Sequence, residues 1–397
     1  MKILGIVVAV SLIHMIPEDF LPQLYTIGTH YQIGNSVGRT FRRVIQEFYN
    51  QSSSLAEVTK FIQTDTGKSY YNGYLETVWK VFPEYVNELT GLTDGAGVSF
   101  TEAFSSMITP EMQAVMKVKG AQSCSDVYVA DQQIAIGHNE DSPELVVKGR
   151  IFMVHATIVD QDDSIVEQFS SLTLPGLLSG SAFSFNGDGK VFTFNSLSPA
   201  TVEADKIPRY FMNRATLGVK SQKDLEDLLH GLGVGAAYGF NLNYADIRNN
   251  SGFLTNYEVS PISGAARNLV TKTIVARQAV PGVDITGHFF HFNMYERTNI
   301  TQLGMDIVSS QHRKARAQTL PPPVNVLGIR RILGDEGDSQ YPLYRTPRPS
   351  DAFHTTITGI FVLDDCVLMM YTSNPWTTPR PISTINLPTG VMCRKKH

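Results

Sequence analysis

Gly120-Ala121-Gln122-Ser123-Cys124-Ser125-Asp126-Val127-Tyr128-Val129 leads, three residues later, into Gln133-Ile134-Ala135-Ile136-Gly137-His138-Asn139-Glu140-Asp141. The reading of the fold turns on this stretch. Small and polar residues run into a cysteine, and two short apolar runs rich in Val and Ile follow, spaced as a hairpin. The second run delivers a polar cluster with carboxylates. A thiol that opens one strand and faces the polar end of its neighbour is a candidate nucleophile and a candidate chain terminus.

The chain changes character at this point. Upstream, Tyr25 to Asn50 reads as strand, turn and helix, with apolar residues at 37, 41, 44, 45 and 48. Residues 54–119 have a mostly helical pattern, punctuated by Pro83, the Gly91–Gly97 loop and Pro110. Downstream, strands are expected at 127–129, 134–136, 151–159, 181–185, 191–194, 241–245, 254–259, 288–292, 355–363 and 366–371, with a helical block from Pro208 to Leu229. Pro321-Pro322-Pro323 reads as a stiff loop. Helices first, then hairpins with inserted helices, imply an α+β fold of antiparallel sheets with helices outside. Gly231-Leu232-Gly233-Val234-Gly235 follows a helix, so it reads as a helix C-cap and loop rather than a dinucleotide fingerprint.

With 397 residues, 42% hydrophobic and 18% charged, the chain can bury a large core. A net charge of −4 gives no reason to expect a nucleic acid partner. The basic runs Arg313-Lys314-Ala315-Arg316 and Arg394-Lys395-Lys396 are short and read as a solvated helix face and a tail. Three cysteines cannot build a disulfide scaffold. With Cys124 set aside, Cys366 and Cys393 either pair in an oxidising compartment or stay as buried thiols. Met1-Lys2 precedes the apolar run Ile3 to Ile13, which is short for a membrane span and fits a secretory leader over residues 1–18. A buried first strand or helix is the other reading. Secretion is therefore expected, with a cytoplasmic location as the alternative. The sequons at Asn50, Asn249 and Asn299 agree with secretion.

The familiar hydrolase motifs are absent. There is no Gly-x-Ser-x-Gly elbow and no His-Glu-x-x-His. His288 and His291 lie three apart on an expected strand and point to opposite faces, so no metal site is expected there. Asn139, Asn195, Asn241, Asn243 and Asn293 stand in or beside apolar strands. Buried there, each needs a partner, and several can converge on one thiol as oxyanion donors. On these grounds Cys124 is either a nucleophile or a buried structural cysteine.

The ordered motifs tip the reading towards the nucleophile. Gly137-His138-Asn139-Glu140-Asp141, the hairpin Asn186 to Leu197, Pro208-Arg209 with Arg214, Asp246 with Glu258-Val259-Ser260-Pro261, and His291-Phe292-Asn293 follow one another. Together they resemble the N-terminal-nucleophile hydrolases of the penicillin acyltransferase and choloylglycine hydrolase group, over about residues 25–375. The likeness is strongest towards that group's β-alanyl-amine hydrolases. It implies a layered αββα sandwich and a self-processing cysteine amidohydrolase acting on small N-acyl amines such as β-alanyl-dopamine or β-alanyl-histamine. The alternatives it leaves are an acyltransferase and an inactive binding paralogue. Residues 19–123 become a small helical subunit and 124–397 the catalytic subunit, two subunits from one precursor cut between Ser123 and Cys124. The resemblance further implies Cys124 as nucleophile, Asn293 and Asn195 as oxyanion donors, Asp141 as an orienting carboxylate, and His138 and Asn241 lining the substrate pocket. No cofactor, metal or membrane span is implied. The group usually carries Gly before the nucleophile, where this chain has Ser123.

Overall fold

The computed structural model describes residues 20–118, 123–142, 147, 149–249, 252–303, 305–349, 351–390 and 392–393. The expected leader therefore lies outside the described residues.

The segment before Cys124 supplies one strand and seven helices. They are β1 (Gln23–Gly28), α1 (His30–Thr40), α2 (Arg42–Gln51), α3 (Ser53–Phe61), α4 (Asp65–Val81), α5 (Pro83–Ala96), α6 (Phe100–Met107) and α7 (Thr109–Met116). Local chemistry sets their ends. Thr29 and Gln32 cap α1 reciprocally, Ser99 and Glu102 do the same for α6, and Pro83 opens α5. Helix α1 thus starts just after Thr29, earlier than the apolar spacing alone implies. Two Gly-x-x-x-Gly pairs let α1 and α5 touch. A Cβ on Gly34 would sit 1.9 Å from Glu88 O, and one on Gly91 would sit 2.0 Å from Tyr31 O.

Strands dominate after residue 122. The hairpin β2 (Ser123–Ala130) and β3 (Ile134–Ser142) is followed by β4 (Phe152–Val159), β5 (Ile165–Thr173), β6 (Phe183–Asn186) and β7 (Lys190–Leu197). The expected helical block divides into α8 (Arg209–Thr216) and α9 (Gln222–Leu229). Then come β8 (Gly239–Asp246), β9 (Leu254–Ser260), β10 (Leu269–Ala276), β11 (Ile285–His291), α10 (Met305–Thr319), α11 (Val326–Leu333), β12 (His354–Val362), β13 (Val367–Tyr371) and β14 (Ser383–Asn386).

Hydrogen bonding links the strands in the order β1-β4-β5-β6-β7-β8-β9-β10-β11-β2-β3-β12-β13-β14. The β10–β11 link is a two-residue parallel contact, and the sheet folds over there into two facing layers. Cross-layer contacts show the apposition. Thr193 of β7 bonds Asp126 of β2 at 2.8 Å, and the Phe183 ring meets that of Phe361 at 6.2 Å. On the outside, α1 packs on β4 through stacked Phe41 and Phe152, while Ile329 and Leu333 of α11 cover β2, β3 and β12. The layers are therefore αββα. One pairing besides the β10–β11 link departs from antiparallel, because β1 runs parallel to β4. The seven helices between β1 and β2 form the long crossover that a parallel pair requires.

The segments before and after Cys124 are clasped by a buried ion cluster. Arg214 of α8 bonds both oxygens of Glu88 on α5 at 3.0 and 2.7 Å and reaches Glu167 of β5 at 2.8 Å, while His30 of α1 meets Glu88 at 2.8 Å. Burial alone raises the Glu88 pKa, but Arg214 and His30 outweigh it and bring the group from 4.5 to about 2. A depressed carboxylate pKa contributes stability that is fully present above pH 4.5 and is lost as pH falls through about 2. The contribution is on the order of 3 kcal/mol. Urea unfolding midpoints should fall between those pH values, and Glu88→Gln should flatten that part of the profile.

Candidate active site

Strand periodicity sorts the hairpin into two chemically distinct faces. Cys124 is paired opposite Glu140 and Asp126 opposite His138, so these four share the face between the sheet layers. Ser123 is opposite Asp141 and Ser125 opposite Asn139 on the face towards α10 and α11. Gly137 allows α11 to close on the hairpin, since a Cβ there would lie 2.3 Å from Ile329 Cγ2.

On the inner face the side chains form a chain. Cys124 Sγ lies 3.7 Å from Glu140 Oε2, His138 Nε2 is 3.2 Å from the same oxygen, and His138 Nδ1 is 2.9 Å from Asp126 Oδ1. Asp126 also accepts from Thr193, which accepts from Asn243 Nδ2 at 2.6 Å. All four members are buried. Burial, then Glu140, pushes the Cys124 thiol up to about 12, and His138 opposes the shift. Burial disfavours the His138 cation, yet Asp126 and the other neighbours raise its pKa well above the ordinary imidazole value. Burial also raises Glu140. Burial thus favours the protonated thiol, while Asp126 favours the His138 cation. One donor atom each from Cys124, His138 and Glu140 lie within 4.8 Å of one another, a set that a thiophilic divalent cation can accept.

On the other face the backbone of the nucleophile is held by an amide and two arginines. Cys124 N donates to Asn293 Oδ1 at 2.8 Å, and Ser123 Oγ donates to the same oxygen at 3.1 Å. Asn293 Nδ2 donates to Ser196 O at 3.0 Å, and its backbone N–H to Ser310 Oγ at 3.0 Å. Arg313 bonds Cys124 O, Ser125 Oγ at 2.9 Å and Asn293 Oδ1 at 2.9 Å. Burial and the neighbouring Arg345 lower Arg313 to about 10. Arg345 bonds Ser123 Oγ and pairs with Asp351. Asp141 accepts from Thr355 Oγ1 at 2.7 Å, and burial raises it to about 7 against the pull of Arg345.

The expected site residues are thus distributed unevenly. The structure brings Ser123, Cys124, His138 and Asn293 into one cluster. Asp141 joins it across from Ser123, on the face away from the thiol, where Arg345 Nη1 lies 3.9 Å from its Oδ2. Asn195 and Asn241 sit opposite one another on β7 and β8, donating to His291 O at 3.3 Å and Tyr257 O at 2.8 Å. Among the described residues neither is hydrogen-bonded to Cys124, and the Oδ1 atoms of both are buried without a hydrogen-bond partner. Ser123 is the first residue of β2, in extended backbone that does not require glycine.

Sequence reasoning missed Asp126, Arg313 and Arg345, and gave Glu140 no role. Arg313 is fully buried rather than part of a solvated helix face; Lys314 and Arg316, its neighbours in the basic run, pair with Glu296 and Asp335. A usable signal is present in α10. Ser309, Ser310, Arg313 and Ala317 share one buried stripe at helical spacing. Cys366 and Cys393 are joined in a disulfide, which leaves Cys124 as the free thiol among the described cysteines.

A cavity of about 70 Å³ adjoins Glu140, whose Oε2 is the atom 3.7 Å from the Cys124 thiol. Phe48, Leu55, Ser106 and Thr109 line it from the segment before Cys124, and Glu140, Ser142, Leu174 and Tyr210 from the segment after. Both segments are needed to enclose it.

Comparison with known proteins identifies the family. Residues 129–376 match the family model described as acyl-coenzyme A:6-aminopenicillanic acid acyl-transferase. The beta-alanyl-dopamine/carcinine hydrolase of Drosophila melanogaster is 30% identical over 373 residues, covering 90% of this chain and 94% of that protein. A mutant form of the conjugated bile acid hydrolase from Clostridium perfringens is also similar, at 12% identity and a TM-score of 0.38, covering 68% of this chain and 94% of that one. With a family match over more than half its length and a relative 30% identical over 90% of it, the chain belongs to the acyl-coenzyme A:6-aminopenicillanic acid acyl-transferase family and is an amide-bond hydrolase of the N-terminal-nucleophile type.

Proposed function

We propose that the chain cuts itself between Ser123 and Cys124 and then hydrolyses small β-alanyl amines through a Cys124 thioester. One observation carries the reading. The Cys124 N–H is held by Asn293, itself fixed by Arg313 and Ser196, while the thiol lies on the opposite face beside Glu140 and His138. The reacting amide and the proton-handling groups are separated but anchored to one residue.

In maturation Sγ bonds to the Ser123 carbonyl carbon, the C–N bond to Cys124 breaks, and the thiol proton ends on the departing nitrogen. Water then hydrolyses the thioester, leaving a Ser123 carboxylate and a free Cys124 amine. Asp141, opposite Ser123 and with its pKa raised to about 7, is placed to supply a proton at the scissile residue. The Ser123 hydroxyl fits this scheme, because Arg345 and Asn293 fix it without backbone strain.

The new α-amine has an ordinary pKa of about 7.7–8.0 and takes the thiol proton during turnover. The thiolate attacks the substrate amide, the amine product leaves protonated, and water releases the acyl group. Asn293 Oδ1 is the acceptor for the α-amine in this geometry. Its role as oxyanion donor requires the amide to turn over after cleavage, with Asn195 as the second donor candidate. His138 holds Glu140 in place at the pocket wall, and Asn241 supports Asn195 from β8.

The same thioester supports transfer to an amine acceptor, a reading favoured by the family's acyl-transferase description. Incubating purified protein with β-alanyl-dopamine or carcinine and assaying free β-alanine decides the substrate. Release of β-alanine is expected; inertness towards both, with turnover of a fatty-acyl amide, overturns the β-alanyl assignment.

The Cys366–Cys393 disulfide and the exposed Asn50 and Asn299 sequons support passage through an oxidising, glycosylating compartment. Intact mass before and after glycosidase treatment tests this, and an unglycosylated chain that keeps residues 1–18 contradicts it.

A further inference from the structure

We infer that Glu140 is the specificity residue for the acyl group, and that it pairs with a primary ammonium carried on a short acyl chain. The inference rests on the hydrolase reading above and narrows its substrate class. Glu140 is 1% exposed, yet its side chain lines the cavity, and its Oε2 lies 3.7 Å from Cys124 Sγ. Its contacts with His138 and Cys124 both fall on Oε2, which leaves Oε1 for a ligand.

Charge supports a cationic ligand. Along the inner face the side chains of Asp126 and Glu140 flank the single imidazole of His138, so acidic groups outnumber basic ones there. The rest of the wall is apolar or carries hydroxyls, as at Leu55, Leu174, Leu177, Thr109 and Tyr210. A neutral acyl chain would leave Oε1 facing an apolar space without a hydrogen-bond partner, which is costly for a buried polar atom.

Size and reach point the same way. At about 10–15 Å³ per water-sized group, a cavity of about 70 Å³ holds roughly five heavy atoms. A three-carbon acyl group ending in an amine has five. In a thioester on Cys124 its nitrogen lies within about 5 Å of Sγ by ordinary bond lengths. Glu140 Oε2 stands 3.7 Å from Sγ, so a hydrogen bond of about 2.8 Å closes that geometry.

The test compares a β-alanyl amine with its butanoyl isostere, in which CH₃ replaces NH₃⁺, on wild type and on Glu140→Gln, per cleaved chain counted by mass. Wild type should favour the β-alanyl substrate by about 100-fold in kcat/KM, the scale of one buried charge pair. In Glu140→Gln that ratio should fall at least about tenfold, and Glu140→Asp should recover part of it. Equal turnover of both substrates by wild type overturns the inference and leaves the hydrolase reading standing, as does an unchanged ratio in Glu140→Gln. Should Glu140→Gln fail to fold or cleave, the wild-type ratio and Glu140→Asp still decide. Turnover of neither substrate by wild type is a failure of the hydrolase reading itself.

Discussion

Cys124→Ala should yield a single uncut chain, with amidase activity reduced on the order of 10⁴-fold or more. Wild-type protein should instead run as two pieces of roughly 14 and 30 kDa, in proportion to the residues on each side of the Ser123–Cys124 bond. The effect is large because one atom serves twice. In the proposed scheme Sγ attacks the Ser123 carbonyl during maturation and the substrate carbonyl during turnover, and no other free cysteine among the described residues can replace it. Removing the thiol leaves the Cys124 N–H to Asn293 bond intact, since that contact uses the backbone. The variant should therefore fold normally, which separates lost chemistry from lost structure. Denaturing electrophoresis with a β-alanine release assay reads both effects together.

Arg214→Leu should destabilise the protein by about 3–5 kcal/mol. Arg214 is fully buried and ties Glu88 of the first segment to Glu167 of the second, with its guanidinium 4.5 Å over the Tyr85 ring and 4.7 Å over the Phe169 ring. Leucine fills much of the space but leaves two carboxylates without their cation. The measurement is urea unfolding at neutral pH, supported by native chromatography of the cleaved protein. Wild-type pieces should stay together through β1–β4 pairing and this cluster, whereas the variant pieces should separate at lower denaturant. A loss below about 1 kcal/mol would show that the cluster is a passenger rather than a clasp.

Much of the architecture was legible because its elements carry local signals. The strand, turn and helix after Tyr25, the Val- and Ile-rich hairpin after Cys124 and the Gly231–Gly235 loop follow from turn chemistry and periodicity. The stretch from Gly91 to Gly97, expected as a loop, is instead the last part of α5 and its cap, with Gly91 and Gly95 serving close packing against α1. Strand β5 was missed because Glu167, Gln168, Ser170 and Ser171 interrupt its alternation, even though its second half is buried. The buried face of helix α10 was missed for a related reason. Its buried stripe is built from Ser309, Ser310, Arg313 and Ala317, so an apolar count finds no amphipathic face.

The site divides along the same line. Cys124, His138 and Asp141 belong to one hairpin, and their nearness follows from sequence spacing once β2 and β3 are paired. Register was not legible. A shift of one residue would have placed Asp141 rather than Glu140 opposite the thiol and exchanged the two faces. Asn293, Arg313 and Arg345 reach Cys124 across 169 or more residues of chain, a juxtaposition that depends on tertiary packing.

The central claim is that Cys124 is the first residue of a mature subunit and carries the acyl group during turnover. Intact and peptide-level mass spectrometry of wild-type protein, quenched in acid within seconds of mixing with a β-alanyl amide, tests it most directly. The account predicts a large fragment that begins at Cys124 and gains the mass of one β-alanyl group on that residue. A single uncut chain, or an acyl group on any other residue, contradicts it.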